Sequence, residues 1–480
     1  MEGETLKQKT VKGLFWGGLS NGVQQVLNLM FGLVLARILN ASDYGMVGML
    51  AIFSAIASTI QESGFTAALT NQKEIRHEDY NAVFWFSTLT GVLFYLILFF
   101  CAPLIAAFYD KPELIGLSRV VFLSFLFGGI GIAPNAYMFK VLMVKERAKI
   151  DVVSLICSGT IGVILALNGF AYYGLAIQTT VYIGIGAFFK FLCAPWKPSL
   201  EINLQPLKSM FGFGSKLILT NIFTQISNNI FSVILGKFYT PRQLGFYSQG
   251  QKWMIMGHTF IGGMISAVAQ PVLVQVISDK ERLRNIFRKM IRFGAFVSFP
   301  TMLGLAFVAP EFVLILLGEK WLPAVPFLQL FCIWGAGGYI KTMCFNLLMA
   351  LGKSNICLYG TICINVLQMT ALCLLYKYGI EIMLISYIIV NYIGIAGWTI
   401  IINHYTKIHL FDIIKDISPY LLVVCFSLFM ASLIVGCVSE NLFFVFLSKI
   451  LLVAISYIIL MWKMNSVIFK EFVLFFFNGR

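Results

Sequence analysis

Long apolar stretches recur along the whole chain, and they restrict the possible folds more than any motif does. A helix needs about 20 mostly apolar residues to cross about 30 Å of hydrocarbon. Fourteen such segments can be placed, at residues 13–36, 44–65, 81–108, 114–137, 151–169, 171–194, 209–236, 251–276, 292–317, 324–349, 356–376, 380–402, 418–437 and 442–462. The sequence therefore predicts an all-α polytopic membrane protein with about 14 transmembrane helices.

The composition agrees with this fold class because it leaves too little charge for a water-facing surface. Charged residues make up 12% of the 480 residues, apolar residues make up 59%, and the mean hydropathy is +0.86. A soluble domain carries about 25% charged residues. The polar, basic N-terminal segment lacks the cleavage site of a signal peptide, so we expect the first span to be retained.

The net charge of +14 is divided unevenly between the two sides of the predicted membrane. With the N-terminus inside, the inside segments hold 24 of the 35 Lys and Arg residues, and the outside segments hold 8. The remaining three, Lys216, Lys341 and Lys449, fall within spans. This bias is the positive-inside signal. It predicts cytoplasmic termini and indicates that the basic excess reflects topology rather than binding of nucleic acid.

The sequence offers no combination of motifs that predicts catalysis or metal binding. The ten cysteines are scattered without CxxC or His-x-Cys spacing, so we expect neither disulfides nor a metal site. The chain also lacks DxD, GxxxxGK[ST] and HExxH motifs. We therefore predict that the protein is not an enzyme and needs no cofactor.

An internal repeat relates the two halves of the chain at an offset of 200 residues. Asn21, Gln25, Asn28 and Gly45 in the first half correspond to Asn221, Gln225, Asn228 and Gly245 in the second. Six spans separate the copies, so the two repeats run parallel. The pattern predicts two six-helix lobes around a central cavity, an architecture typical of transporters. The predicted divisions are residues 1–200 for spans 1–6, 201–408 for spans 7–12, and 409–480 for an appended pair of helices.

Amide side chains form a stripe along spans 1 and 7. Asn21, Gln25 and Asn28 share one helical face because they are spaced four and three residues apart, and their counterparts repeat the stripe. Such amides either hydrogen-bond to neighbouring helices or face an aqueous cavity. Their duplication in both halves favours a cavity lined by the two spans.

Charged residues inside spans are the remaining candidates for function, because each costs about 2.5–3.5 kcal/mol to insert. Lys216 and Lys341 lie deepest on the repeated spans. Snorkelling of the ammonium group to the interface is the alternative explanation for them. Glu62 ends span 2 on the inner side, where it is either a coupling residue or an ordinary interfacial carboxylate.

Several weak motifs follow one another in the order found in one known family. They are Leu35–Leu39 with Asp43–Gly45, Glu62–Phe65, Phe84-Trp85, Ala102–Ala106 with Phe108-Tyr109, and Leu317–Trp321. With them the chain resembles the polysaccharide transporters, or Wzx-like lipid-linked oligosaccharide flippases, of the multidrug/oligosaccharidyl-lipid/polysaccharide superfamily. The motifs cover spans 1–10.

The resemblance implies an activity, a location and partners. The protein would move an undecaprenyl-pyrophosphate-linked oligosaccharide across the bacterial inner membrane by alternating access, for O-antigen, capsule or exopolysaccharide assembly. Its partners would be the lipid-linked oligosaccharide and membrane lipids, with a polysaccharide polymerase and a chain-length regulator as further candidate partners.

On this basis we assign roles to the polar residues inside the spans. Lys216 and Lys341 would hold the pyrophosphate, because ammonium groups bind phosphate as point charges. The amides would line the path of the sugar hydroxyls, and Glu62 is the candidate for coupling. The path residues are Asn21, Gln25, Asn28, Asn221, Gln225 and Asn228.

Other functions conflict with particular features of the sequence. A cation or drug antiporter of the same superfamily would need acidic residues deep in one lobe, whereas the deep ionisable residues here are mostly basic. A membrane-bound polymerase or glycosyltransferase would show a long external loop or an acidic metal motif, and neither is present. A structural scaffold would have no need for lysines in the membrane interior.

Overall fold

The computed structural model of the protein describes residues 6–62, 69, 75–203, 205–277, 279–435 and 441–471. Side chains are described for all of these except residues 6–15, 206, 208–220, 260, 264–271, 274 and 354. The regular elements within these ranges are α-helices and two short 3₁₀ turns, Glu319–Ala324 and Tyr376–Tyr378. The helices are α1 Leu6–Ile38, α2 Ala41–Glu62, α3 His77–Tyr109, α4 Leu114–Lys140, α5 Val144–Leu167, α6 Tyr172–Cys193, α7 Gln205–Phe238, α8 Pro241–Gln275, α9 Lys280–Phe307, α10 Ala309–Leu316, α11 Val325–Ala350, α12 Ser354–Leu375, α13 Ile380–Thr406, α14 Leu410–Val435 and α15 Leu442–Lys463.

The helices other than α10 are long enough to cross a membrane. The shortest of them has 22 residues, which corresponds to about 33 Å at 1.5 Å per residue. Within the described residues, 12 helices are both long and apolar enough to be spans. The two remaining long helices, α7 and α8, are not among them. The predicted all-α polytopic class is confirmed, and the number of long helices agrees with the predicted count.

The described structure divides into two compact units, Met1–Gly245 and Phe246–Arg480. The first unit contains α1–α7 and the first turn of α8, because α7 packs against α2 and α3. The second unit contains the rest of α8 and α9–α15. The lobe boundaries at residues 200 and 408 remain predictions.

Small residues bring α3 and α4 of the first unit into close contact. A Cβ on Gly91 would lie 2.5 Å from the carbonyl oxygen of Phe125, and one on Gly129 would lie 2.5 Å from that of Ser87. The buried amide of Gln61 on α2 donates to the same Phe125 carbonyl at 2.7 Å. Three helices are thereby joined at one point, by small residues and a satisfied polar group, as membrane helix interfaces usually are.

The segment that follows α6 is fastened to the start of α3. The Asn81 amide donates to the carbonyl of Glu201 at 2.6 Å and accepts from the backbone N–H of Ser199 at 3.0 Å. The Trp85 indole donates to the Ser199 carbonyl at 2.8 Å. Trp196 is buried in the same apolar cluster. This connection between the two repeats therefore belongs structurally to the first unit up to residue 203.

At the opposite end of the first unit, α7 is held against α2 and α3. Lys237 forms an ion pair of 2.8 Å with Asp110, which follows α3. Tyr109 donates to the carbonyl of Met49 on α2 at 3.1 Å. Gly236 leaves room for both, since a Cβ there would lie 2.8 Å from the Tyr109 ring and 3.0 Å from the Met49 side chain.

The core of the second unit is formed by α9, α11, α13 and α14. Tyr339 on α11 lies over Gly294 of α9, and its hydroxyl donates to the Ile291 carbonyl at 3.2 Å. Ser298 donates to the Ala336 carbonyl at 3.0 Å, across the same contact. The close approach of the two helices thus depends on a glycine and on hydroxyl groups that bond to backbone.

The appended helices α14 and α15 are joined to the rest of the second unit by charged pairs. Arg288 on α9 makes a two-pronged contact with Asp416 on α14, at 2.7 and 3.0 Å. Lys449 on α15 pairs with Glu311 on α10 at 2.8 Å. Because both lysine and glutamate are largely buried there, Lys449 serves to hold α15 within this chain.

Candidate functional site

The amide stripe of α1 lies on an open face of the first unit. Asn21, Gln25 and Asn28 are exposed, and none of the three side chains has a hydrogen-bond partner within the described ranges. The packed interface of α1 is with α5, where the Phe31 ring covers Gly159. The amides are therefore not the hydrogen-bonding groups of that interface.

The corresponding stripe of α7 behaves in the same way. Asn221 and Asn228 are exposed, and Gln225 is half-buried. The neighbouring Asn229 bonds to its own helix, at the Gln225 carbonyl, at 2.9 Å. Among the residues that the structure describes, no group bonds to the three stripe side chains. Both stripes thus belong to the first unit, on helices that pack against different neighbours.

Lys341 has no counter-ion among the described residues of the second unit. It lies on α11, nine residues before Ala350, or about 14 Å from the helix end at 1.5 Å per residue. Its side chain is half-buried, and no carboxylate of the described part of the chain pairs with it. Lys449 shows the contrasting arrangement, since its ammonium group contacts Glu311 at 2.8 Å.

Lys252 and His258 on α8 are two further polar groups of the second unit. Lys252 is half-buried, lies 11 residues after Pro241 and has no carboxylate partner in the described ranges. The His258 ring contacts α11 beside Gly338 and lies 5.5 Å from the Trp334 ring. Gly338 is about one turn before Lys341 on α11, so His258 contacts this helix one turn away from Lys341.

Lys216 cannot be compared with Lys341 in the same way. Its backbone lies in α7, but its side chain is outside the described residues. The segment Ser63–Phe65, which follows Glu62 in the family motif, also lies outside them.

Glu62 lines a cavity of about 310 Å³ in the first unit. The cavity lies among α2, α4, α5 and α6 and also contacts Asn135, Asp151, Tyr182 and Lys190. Lys190 and Asp151 form an ion pair of 3.0 Å. The predicted coupling candidate therefore faces a polar cavity with its own half-buried ion pair.

Sequence reasoning missed three of these groups, and a signal existed for one of them. Lys252 is one of the eight Lys and Arg residues counted as outside from the sequence, because it lies at the outer boundary of the predicted span 251–276. Thr240 and Gln243 form a capping box, with each side chain bonded to the other's backbone N–H at 3.3 and 3.1 Å. This Thr-x-x-Gln pattern predicts a helix start at Pro241 and so places Lys252 inside α8. Asp151 and Lys190 carried no comparable local signal.

No cluster of three or more His, Cys, Asp or Glu side chains suited to a metal ion was found in the part of the chain that the structure describes. The polar groups brought together are amides, ammonium groups and single carboxylates. Such groups can bind hydroxyls and phosphate, but they offer no activated nucleophile.

Comparison with known proteins identifies the class. Residues 34–326 match the family model described as "Polysaccharide biosynthesis protein", and this match spans more than half of the chain. The chain belongs to this family of polysaccharide biosynthesis proteins. The matched residues include Glu62, Lys216 and the stripe of α7, whereas Lys341 and the stripe of α1 lie outside them.

Two curated relatives match over most of their length. The teichuronic acid biosynthesis protein TuaB of Bacillus subtilis is 24% identical over 360 residues, which cover 74% of each chain. The lipopolysaccharide biosynthesis protein WzxC of Escherichia coli is 25% identical over 361 residues, covering 73% of this chain and 72% of that protein.

A solved structure shares the fold. The lipid II flippase MurJ in an inward closed conformation aligns with a TM-score of 0.78 over 95% of this chain and 99% of that chain, at 14% sequence identity. The predicted resemblance to Wzx-like flippases is confirmed. The protein is a multi-pass membrane transporter of polysaccharide assembly rather than an enzyme, and the antiporter alternative is not favoured.

Proposed function

We propose that the protein moves an undecaprenyl-pyrophosphate-linked oligosaccharide from the inner to the outer leaflet of a bacterial inner membrane, by alternating access. The relatives named for teichuronic acid and lipopolysaccharide biosynthesis support a glycan substrate. The neighbour named as a lipid II flippase supports a lipid-linked one. The product would enter O-antigen, capsule or exopolysaccharide assembly, with a polymerase and a chain-length regulator as the next partners.

Lys341 carries the proposal. A cation inside a membrane-length helix is costly unless something neutralises it, and no described carboxylate does so. The pyrophosphate of a lipid carrier supplies the missing negative charge, with strong acceptor oxygens for the ammonium group. Lys216 is proposed as a second residue that binds the pyrophosphate. Lys252 is proposed as an additional cation of the second unit.

The amide stripes are proposed to accompany the sugar residues. Six side chains on α1 and α7, which have no partner among the described residues, offer both donors and acceptors to hydroxyl groups. A glycan crossing hydrocarbon would otherwise lose its hydrogen bonds to water, which is costly for each hydroxyl. The exposure of these amides in the first unit supports this role better than a role as glue between packed helices.

The orientation is proposed from the distribution of charge. The excess of Lys and Arg in the segments assigned to the inside supports cytoplasmic termini. With that orientation, Lys237, Asp110 and the start of α8 lie at the outer end of the first unit, while Glu62 and the connection at residues 194–203 lie at the inner end. The coupling role of Glu62 remains a prediction, which unchanged pH dependence of transport in Glu62→Gln would contradict.

The test is translocation in liposomes. Full-length protein is reconstituted with a short-chain lipid-pyrophosphate oligosaccharide in one leaflet, and its appearance in the other leaflet is measured. We expect protein-dependent translocation that is strongly reduced in Lys341→Ala and in Lys216→Ala. Lys280→Ala, at an exposed position on α9, is the matched control and should retain activity.

Two outcomes would contradict the proposal. Full activity of Lys341→Ala at low substrate would remove this residue from the phosphate site. Proton- or sodium-driven efflux of organic cations, without movement of any lipid-linked sugar, would support the antiporter class instead.

A further inference from the structure

The cavity beside Glu62 in the first unit has the chemistry of a sugar site. We propose that it binds one neutral or amino sugar residue of the transported glycan and rejects acidic sugars and phosphate. The inference rests on the proposed function and deepens it, because it assigns the sugar end of the substrate to a cavity distinct from the lysines of the second unit. Its walls are formed by α2, α4, α5 and α6.

The first argument is the hydrogen bonding that the cavity leaves unfulfilled. The Oδ1 of Asn135 is buried and accepts no hydrogen bond from any residue that the structure describes. The Glu62 carboxylate is exposed and has no ion pair or hydrogen bond to any residue within the described ranges. A buried acceptor without a donor is costly, so the Asn135 oxygen calls for a ligand that donates a hydrogen bond, and the Glu62 carboxylate can accept a second one. Vicinal hydroxyls or an amino group of a sugar are such donors.

The second argument is charge. Lys190 neutralises Asp151 at 3.0 Å, so Glu62 leaves the cavity lining with a net charge of about −1 at neutral pH. Arg147, in the first turns of α5, lies over the Phe139 ring and is not among the described residues that line the cavity. An anionic ligand would therefore meet a like charge in a partly desolvated site, which disfavours it.

The third argument is space. Three glycines, Gly128, Gly131 and Gly186, line the cavity, and they let the surrounding helices approach closely, since a Cβ on Gly131 would lie 3.0 Å from the Ala187 Cβ. The volume of about 310 Å³ is at the lower end of the range of about 300–1,000 Å³ for small-molecule sites. Apolar walls at Ile132 and Ile183 beside polar groups at one edge suit a ring that has both an apolar face and hydroxyl edges.

The location is consistent with an early encounter with substrate. Glu62 ends α2, Lys190 lies in the last turn of α6, and Asp151 lies in the second turn of α5. These helix ends are on the proposed cytoplasmic side. A glycan assembled on that side would reach this cavity before it crossed the membrane interior.

The experiment measures binding of free sugars to purified full-length protein in detergent by saturation-transfer NMR. The probes are matched pairs, glucose with glucuronate, galactose with galacturonate, and glucosamine with N-acetylglucosamine. We expect at least one neutral or amino sugar to bind, and both uronates to bind about tenfold more weakly than that sugar or not at all. Glu62→Gln should weaken the neutral sugar about fivefold, as the loss of one good hydrogen bond does, and should reduce the discrimination against uronate.

The controls separate this site from the transport proposal. Glu113→Gln removes an exposed carboxylate at the other end of α4 and should change nothing. The double variant Lys190→Met with Asp151→Asn tests the ion pair, because it removes both charges together and leaves neither partner unpaired. Absence of binding by every probe, or equal binding of the uronates, would overturn the sugar site. Neither result bears on translocation in liposomes, which is measured independently.

Discussion

Gly45 and Gly245 are equivalent positions of the two repeats, and each packs against the first residue of the helix that carries the other. A Cβ on Gly45 would lie 1.8 Å from the carbonyl oxygen of Pro241, and one on Gly245 would lie 1.7 Å from that of Ala41. Ala41 and Pro241 begin α2 and α8 and are themselves 200 residues apart. The reciprocal contact is the structural counterpart of the sequence repeat.

We expect that alanine at either glycine will disturb this contact. Backbone would have to move at the proposed outer end, and overpacking of this kind costs about 1–3 kcal/mol. Gly45→Ala and Gly245→Ala should therefore lower the thermal unfolding midpoint and reduce translocation. Gly22→Ala is the matched control, because nothing lies within 4 Å of its added Cβ and alanine favours the helix. Equal midpoints for all three variants would contradict the importance of the contact.

Removal of the Lys449 ammonium group is expected to destabilise the second unit. Lys449 and Glu311 have side-chain exposures of 16% and 12%, so Lys449→Met would leave a largely buried carboxylate without a partner. Breaking such a pair costs about 3–5 kcal/mol. The midpoint should fall in Lys449→Met and recover in Lys449→Met with Glu311→Leu, since an apolar replacement of both partners is often neutral. A double variant no more stable than the single one would show that the pair does not act as a unit.

The membrane class, the long helices and the polar stripes could be predicted from the sequence, because these features depend on local hydropathy and spacing. Pairings between distant residues could not be read from it. Lys449 meets Glu311 across 138 positions and Arg288 meets Asp416 across 128, and only the packing of α15 and α14 brings them together. Lys341 and Lys449 look alike as lysines within spans, yet Lys449 pairs with Glu311 and Lys341 has no carboxylate partner in the part of the chain that the structure describes.

We expect Asn81 to protect the segment that connects the two repeats from proteolysis. Asn81→Ala removes two hydrogen bonds to the backbone of Ser199 and Glu201, each worth about 1 kcal/mol. Local opening should then increase about tenfold or more, and limited proteolysis within residues 194–203 should accelerate accordingly. Asn168→Ala, whose amide bonds only to its own helix at Ile164, is the control. An unchanged cleavage rate in Asn81→Ala would show that burial of Trp196 alone holds the segment.

We expect Lys341 to lower the stability of the substrate-free protein, because its charge serves to bind the substrate. An unpaired cation in a membrane-length helix costs about 2.5–3.5 kcal/mol on insertion scales, whereas methionine has a similar length and no charge. Lys341→Met should therefore raise the thermal unfolding midpoint of the substrate-free protein while it lowers translocation, a trade-off typical of functional sites. Inorganic pyrophosphate should raise the midpoint of the unmodified protein, because a ligand that binds only the folded state stabilises it. This shift should be smaller in Lys341→Met and unchanged in Lys280→Ala. If Lys341→Met lowers the midpoint, or if pyrophosphate stabilises it as much as the unmodified protein, then Lys341 is a structural residue and the phosphate must be held elsewhere.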